Sequence, residues 1–505
     1  VLTTLEKQSS ALLIPRQRPA QKQALPASAS AWTKWMASLE SLAPAERISA
    51  VSKQIKLLNR TSCSAKARLT VATKLQSFWQ QRIADLMPVF SGQDLPMTPV
   101  AFRAYNESIS VLTEQSYCFM VALDNDIRDE DLTPVQRAWA CLSAMRALRQ
   151  RIEIHLDRYH TIPSVVLADL YTLYSLAQDG GYHTLKLKHQ PETIEHAFKH
   201  CLMLSIVDAW GLGQGQLRLF SEKLQIWTRE IELREHASET GTGCYSVDLS
   251  SDSLPAAYAY SADNDKLLWL HTNKLLEIIK TASEQAQLPS TPREHSNTLH
   301  GASFQHLNRT LLSRPERVSA RAHRADMVAI EIGLKDIHSR LEQGGNLKVP
   351  PNPEWQLTNQ SAEGLGLVKN RDSAAPVHVG ELIAVSGFSR DAGNPVLRMG
   401  TVQWLRYDIA GKLRCGIHLV AHDAKPVIAS HKIEGQRVNR VSRESLYVSP
   451  EPGMHYATLI VTANTFSTGQ VVTLHHHGRP GKKWRLTVQA RQTASMACFR
   501  IEPVA

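Results

Sequence analysis

Asn359-Gln-Ser361-Ala-Glu-Gly364, followed at once by Leu365-Gly-Leu-Val368, is a polar turn running into an apolar strand. Its reading decides how the C-terminal part of the chain folds. On either side, apolar residues alternate as they do in strands. Val328, Ile330 and Ile332 alternate before the turn; Glu381–Ser386, Arg398–Arg406 and Arg414–Ala421 form strand-like runs after it. Glycines and prolines separate these runs. Many short strands with such turns predict a barrel or sandwich. From about Lys432 to the end the pattern is again strand-like, at Ala457–Ala463, Gln470–His475, Trp484–Ala490 and Ala497–Glu502, and predicts a small β-rich domain or an extension of the barrel.

Upstream the pattern changes. Leu142, Met145, Leu148, Ile152, Leu156 and Tyr159 recur at steps of three and four, which places them on one helix face. Thr133-Pro134 supplies an N-cap and first-turn pair for that helix, and Pro163 lies just past its end. Leu167, Leu170, Tyr171 and Tyr174 mark another helix, stopped by Gly180-Gly181. A further helical stretch begins near Thr193, breaks at Gly211-Leu-Gly-Gln-Gly215 and resumes through Leu224, Trp227 and Ile231. The expected fold class is therefore multidomain α + β: an N-terminal all-α bundle or irregular helical repeat, then an antiparallel barrel, then a second β-rich part. The expected divisions are a disordered leader over 1–30, a helical domain over 31–284, a linker with a short helix over 285–313, a barrel over 314–430 and a C-terminal β-rich domain over 431–505. No fixed-period repeat stands out.

The excess charge is localised. From residue 301 onward there are 26 Lys and Arg against 16 Asp and Glu, whereas residues 1–300 balance at 31 each. A local surplus points to an anionic partner for the C-terminal part. Seven widely spaced cysteines without a C-x-x-C exclude a zinc knuckle or disulfide framework and fit a reducing cytoplasm. No apolar run is long enough for a transmembrane helix.

Two clusters carry the chemistry. Arg317-Val-Ser-Ala-Arg321 is an R-x-x-x-R, with Arg314 and Arg324 alongside; Asn359 to Gly364 is an N-x-S-x-x-G about forty residues later. Guanidinium groups bind phosphate in a bidentate way and stack on purines. An Asn amide both donates to and accepts from a base edge, and a Ser hydroxyl adds one adaptable bond. Gly364 lets the backbone approach a ligand closely. Together they suit an anionic, purine-bearing ligand.

The arrangement resembles the PilZ domain family, whose signature is R-x-x-x-R and then (D/N)-x-S-x-x-G. Val379-Gly-Glu-Leu-Ile-Ala-Val385 is similar to that family's middle strand, and Arg398-Met-Gly-Thr-Val-Gln-Trp404 with Arg414-Cys-Gly-Ile-His-Leu-Val420 to its closing pair. The resemblance covers roughly residues 314–430. It implies a bacterial cyclic di-GMP receptor, with no other cofactor. Arg317 and Arg321 would wrap the phosphates and guanines, Asn359 and Ser361 would contact a guanine edge and the ligand backbone, and Gly364 would shape the turn. Arg314, Arg324 and Trp404 are weaker ligand candidates; Trp404 sits where an aromatic ring of some members stacks on guanine, though barrel packing is the first reading of it. The spacer between the motifs is longer than in compact members, because Ile337–Trp355 adds a helix or loop.

Other features point elsewhere less strongly. His475 and His477 would share one strand face, but no partner at ligand spacing accompanies them, so no metal is expected. Asp124-Asn-Asp-Ile-Arg-Asp-Glu-Asp131 lacks the glycine and glutamate of a calcium loop and is expected to be an interhelical loop. No G-x-S-x-G occurs, and no enzyme is expected. The leading expectation is a cytoplasmic receptor that couples ligand capture to an unidentified protein partner of the helical domain, in motility, pilus, biofilm or envelope control. Behind it stand a ligand-independent interaction adaptor and, last, a nucleic-acid binder, for which no recognition helix is present.

Overall fold

The computed structural model describes residues 12–504 apart from 20–22, 236–242, 258–265, 287–300, 313–319, 345–353, 370–375, 388–396, 409, 422–423, 433–439, 451–455, 477–480 and 494. The chain divides into two compact units. One comprises Val1–Gln93, Met97–Ala209 and Gly215–Pro315; the other comprises Asp94–Pro96, Trp210–Gln214 and Glu316–Ala505.

The first unit is built on helices α1 (Ala29–Ser38), α2 (Pro44–Asn59), α3 (Ala65–Phe90), α4 (Pro99–Asp129), α5 (Pro134–Asp157), α6 (Ser164–Asp179), α7 (Ile194–Ile206) and α8 (Gln216–Trp227). Their starts are written in side chains. Ser64, Thr98, Thr133 and Thr193 each accept a backbone N–H of the first turn, and Thr133 with Gln136 completes a capping box. The face expected on α5 is buried from Leu142 to Leu156. α3, α4 and α5 form the centre, where the Trp79 ring meets the edge of Phe119 at 6.0 Å.

Three expectations for this region are corrected. Residues 124–129 are the last turns of α4, not a loop. Their acidity is tolerated because Arg128 pairs with Asp124 and Arg137 with Asp126, while Asp126 Oδ1 also accepts the Leu132 N–H at 2.6 Å. The leader is docked from residue 12: Leu12 is buried, the Leu13 N–H donates to Asp169 Oδ1 at 2.8 Å, and Arg18 bridges to Thr61. The all-α reading of residues 31–284 also missed a small antiparallel sheet, of order β1-β3-β2, formed by β1 (Glu232–Arg234), β2 (Cys244–Asp248) and β3 (Leu267–His271). Its strands are too short for alternation to separate them from helix. α9 (Asn273–Ala286) and α10 (Gly301–Leu312) complete the unit, so the short helix expected in the linker belongs to it.

The second unit is two barrels. The first uses β4 (Ala322–His323), β5 (Met327–Ile332), helix α11 (Leu334–Glu342), β6 (Trp355–Gln360), β7 (Gly364–Lys369), β8 (Leu382–Ser386), β9 (Arg398–Tyr407) and β10 (Leu413–Ala421). Its strands run β5-β8-β9-β10-β7, and β6 pairs with both β5 and β7, which closes a ring of six antiparallel strands; β4 pairs with the far end of β6, on the same edge as β5. The second barrel closes β11 (Lys425–Lys432), β12 (Arg440–Val448), β13 (Ala457–Thr462), β14 (Val471–His475), β15 (Lys482–Gln492) and β16 (Met496–Pro503) in the order β11-β12-β13-β16-β15-β14. Taken in chain order, this is the same circuit as β5-β6-β7-β10-β9-β8. The topology is thus repeated within the chain without a sequence repeat to announce it. The second ring is a whole barrel beginning at Lys425, so the divide expected after residue 430 falls inside its first strand.

Each barrel has its own interior, and a third cluster lies between them. Leu459, Val472, Leu474, Leu486 and Phe499 fill the second barrel. Between the barrels, Ala329, Leu382, Ala384 and Met399 meet Leu446, Ile460, Met496 and Cys498, with Ile337 of α11 in the same cluster. Polar bonds cross the seam: Arg491 Nη1 donates to Thr401 Oγ1 at 2.8 Å, and Ser495 Oγ to the Gly380 carbonyl at 2.9 Å.

Two consequences can be measured. Ile460→Asp places an unpaired charge in the seam. It should lower the stability of the second unit by at least about 3 kcal/mol and accelerate amide exchange in β8 and β9 as well as in β13 and β16. In the helical unit, His155 is buried beside Arg151, which pushes its pKa down to about 3, and its Nδ1 meets the Tyr105 hydroxyl at 2.8 Å. A depressed folded pKa gives stability that is complete above the unfolded value and is lost as pH falls through the folded one. Urea unfolding at pH 7 and pH 5 should therefore show a loss of about 2 kcal/mol from this group, which His155→Gln removes.

Candidate functional site

The β6–β7 hairpin builds the site. Asn359 stands opposite Gly366 and Gln360 opposite Leu365, with a bulge at Thr358 whose Oγ1 donates to the Gly366 carbonyl at 2.9 Å. The Ser361 N–H donates to the Gly364 carbonyl at 2.8 Å and closes the turn. Gly364 has an ordinary backbone conformation, so its need is for space: a Cβ there would lie 2.9 Å from the Ile417 carbonyl oxygen.

Alternation sorts the hairpin into two faces. Leu365 and Leu367 are buried, as are Cys415 and Ile417 of the neighbouring β10, and these point into the barrel. Gly366, Gly416 and their partners therefore face outward. Registers across four strands then define one outward row, Asn359–Gly366–Gly416–Trp404. Neither glycine has room for a side chain. A Cβ on Gly366 would lie 2.6 Å from the Asn359 carboxamide nitrogen, and one on Gly416 would lie 2.0 Å from the Trp404 indole nitrogen. The carboxamide and the indole thus lie over a two-glycine floor from opposite ends. Such a shelf offers a flat aromatic surface at one side and a two-way hydrogen-bonding group at the other.

β4 brings the arginines. Ala322 stands opposite Gln360 and His323 opposite Asn359, and the Arg324 N–H donates to the Thr358 carbonyl at 3.0 Å. Continuing that antiparallel register by one residue sets Arg321 across from Ser361, where it is exposed. Arg321, Asn359, Ser361 and Gly364 are thereby gathered at one sheet edge. Trp404 lies in the row just described, half-buried and packed on Gly416. Arg324 is close by but alternation turns it the other way, toward the face of Ala322 and Gln360. Arg314 and Arg317 lie outside the described residues. The long spacer contains α11, which packs in the seam between the barrels.

Residues 29–238 match the family model described as the N-terminal domain of the cyclic-di-GMP receptor FimW. That match covers α1 to α8 and β1, inside the helical region, and leaves both barrels outside it. No curated protein and no solved structure matches the chain.

Among the described residues no group of three or more His, Cys, Asp or Glu side chains could hold a metal ion, and no helix is long and apolar enough to cross a membrane. His475 Nε2 meets Ser430 Oγ at 3.1 Å, and His477 lies outside the described residues. One buried network superficially resembles a nucleophile and its base. His200 Nε2 lies 2.9 Å from Ser221 Oγ, which donates to Glu153 at 2.5 Å. Its polarity runs the wrong way. Arg149 faces His200 Nδ1 at 3.4 Å and burial holds the imidazole neutral, so Nε2 carries the hydrogen and donates to Ser221. Ser221 gives its own proton to Glu153 and is not activated by the histidine.

Sequence reasoning singled out Gly364 but passed over Gly366 and Gly416, the floor of the shelf. For Gly366 the signal was present as Gly364-x-Gly366, two glycines on one strand face, which marks a close approach. Gly416→Ala should lift the indole off its floor. The Trp404 contribution to the fluorescence, taken as the difference from Trp404→Phe, should then shift to the red, with secondary structure unchanged by circular dichroism.

Proposed function

We propose that this chain is a bacterial receptor for cyclic di-GMP whose first barrel, of the PilZ type, holds the ligand on the outer shelf and whose helical unit carries the output to a protein partner. The observation that supports this most is the row Asn359–Gly366–Gly416–Trp404 with Arg321 set across from Ser361. A guanine would stack on the outer face of the Trp404 indole, which itself lies on Gly416, while the Asn359 carboxamide over Gly366 reaches a base edge. Ser361 serves the ligand backbone. Arg321, with Arg317, supplies the guanidinium groups for the phosphates. The similarity of residues 29–238 to the N-terminal domain of a cyclic-di-GMP receptor supports the same reading from a different part of the chain.

In this reading the protein binds a messenger and turns over no substrate. It acts in the cytoplasm, in motility, pilus, biofilm or envelope control, by favouring the state of the chain that the ligand binds better. Calorimetric titration of the full chain with cyclic di-GMP should give saturable heat, and Arg317→Ala with Arg321→Ala should weaken binding by about tenfold or more. Unchanged affinity in the double variant would remove these arginines from the site. Absence of heat in the wild-type chain would leave the barrel as a protein-interaction module.

A further inference from the structure

Past the irregularity at Gln403, the residues Trp404, Leu405, Arg406 and Tyr407 of β9 pair in step with Gly416, Cys415, Arg414 and Leu413 of β10. Leu405 and Cys415 are buried and point inward, so Arg406 and Arg414 share the outer face with Trp404 and Gly416. The registers across the barrel give a second outward row, Gln356–Val368–Arg414–Arg406. It runs beside the row Asn359–Gly366–Gly416–Trp404, about 7 Å from it along the strands. In β6 Gln356 precedes Asn359 and Ser361 follows it, so the two sides of the shelf differ. Ser361 and Arg321 flank it on one side; Arg406 and Arg414 flank it on the other.

The two arginines of this second row are held differently. Arg414 Nε donates to Asp408 Oδ2 at 2.9 Å, so a carboxylate already offsets its charge. Arg406 has its guanidinium carbon 5.0 Å from the centre of the Trp210 ring, and its buried Nε has no hydrogen-bond partner. A guanidinium stacked on an indole uses its face and keeps its N–H edge for an acceptor in its own plane. Trp210 reaches this row from a distant part of the chain. Trp210–Gln214 joins Ala209 and Gly215 of the helical unit but belongs to the barrel unit, and Leu212 within it is buried.

A cyclic dinucleotide carries two phosphodiesters in one ring, and the shelf has a guanidinium on each side. We infer that Arg406 is a further ligand-binding residue of the shelf, taking the phosphodiester remote from Arg321, and that Trp210 is its positioning residue. The indole holds the guanidinium beside Trp404, where its edge meets the phosphate in a bidentate way. This role rests on the receptor function proposed above, and it ties the shelf to the loop between α7 and α8, which supplies the indole.

Calorimetric titration of the full chain with cyclic di-GMP compares wild type with Arg406→Gln, Arg406→Lys, Trp210→Ala, Trp210→Phe and the double variant Arg406→Gln with Trp210→Ala. Arg406→Gln should weaken binding about tenfold. Arg406→Lys should recover part of that loss, because the charge returns without the planar edge. Trp210→Ala should also weaken binding, and Trp210→Phe should restore most of the affinity. The double variant should be no weaker than Arg406→Gln alone, because the indole acts through the guanidinium. Losses that add in the double variant would overturn the positioning role of Trp210. Wild-type affinity in Arg406→Gln would overturn the whole assignment while leaving the receptor reading intact. No heat from the wild-type chain would overturn both.

Discussion

Pairing of β6 with β7 closes the first sheet on itself, and closure makes the alternation of side chains absolute. In an open sheet a strand can shift or twist at its edge. In a ring of six, each residue is assigned either to the interior or to the outer surface, and a slip of one residue would exchange them all. The segment Asn359-Gln360-Ser361 shows the effect. Asn359 is held outward over Gly366, Gln360 inward to Arg398, and the Ser361 turn stands at the rim. Three adjacent polar residues therefore serve different surfaces, and the bulge at Thr358 sets which is which.

The same closure requires small residues at particular places. A flat outer shelf needs strands whose backbones are bare on that side, and Gly366 and Gly416 provide it where they pair. The second barrel repeats the strand circuit but has Thr458 and Ile460 on the outer side of the strand that corresponds to β7, where the first barrel has glycines. Its outer face is instead used at the seam through Leu446, Ile460, Met496 and Cys498. One topology thus appears twice with different uses of its exterior: in the first barrel a pair of glycines on which Asn359 and Trp404 lie, in the second an apolar surface packed against its neighbour.

Much of this was legible in the sequence, for identifiable reasons. The strands of the first barrel carried alternating apolar residues and showed themselves, as did the capped helices of the first unit. β6 did not, because Gln356, Thr358, Asn359 and Gln360 make it polar along an edge that β4 covers. The second barrel was seen as strands but not as a ring, since closure depends on pairings between strands distant in sequence, such as β11 with β14. The candidate site was visible as a list of residue types, and the register sets Arg321 across from Ser361. It was not legible as a surface. Which side Gln360, Arg324 and Trp404 face follows from register and from one bulge, and neither is written in local composition.

In the proposed receptor the nucleotide lies across the outer shelf of the first barrel. Hydrogen–deuterium exchange of the full chain, with and without saturating cyclic di-GMP, tests that placement most directly. The predicted result is slowed exchange confined in this unit to residues 317–326, the Asn359–Gly366 hairpin and the paired segments around Gly416 and Trp404, with the second barrel unchanged. Protection elsewhere in the chain, with these segments exchanging at the same rate in both samples, would contradict it.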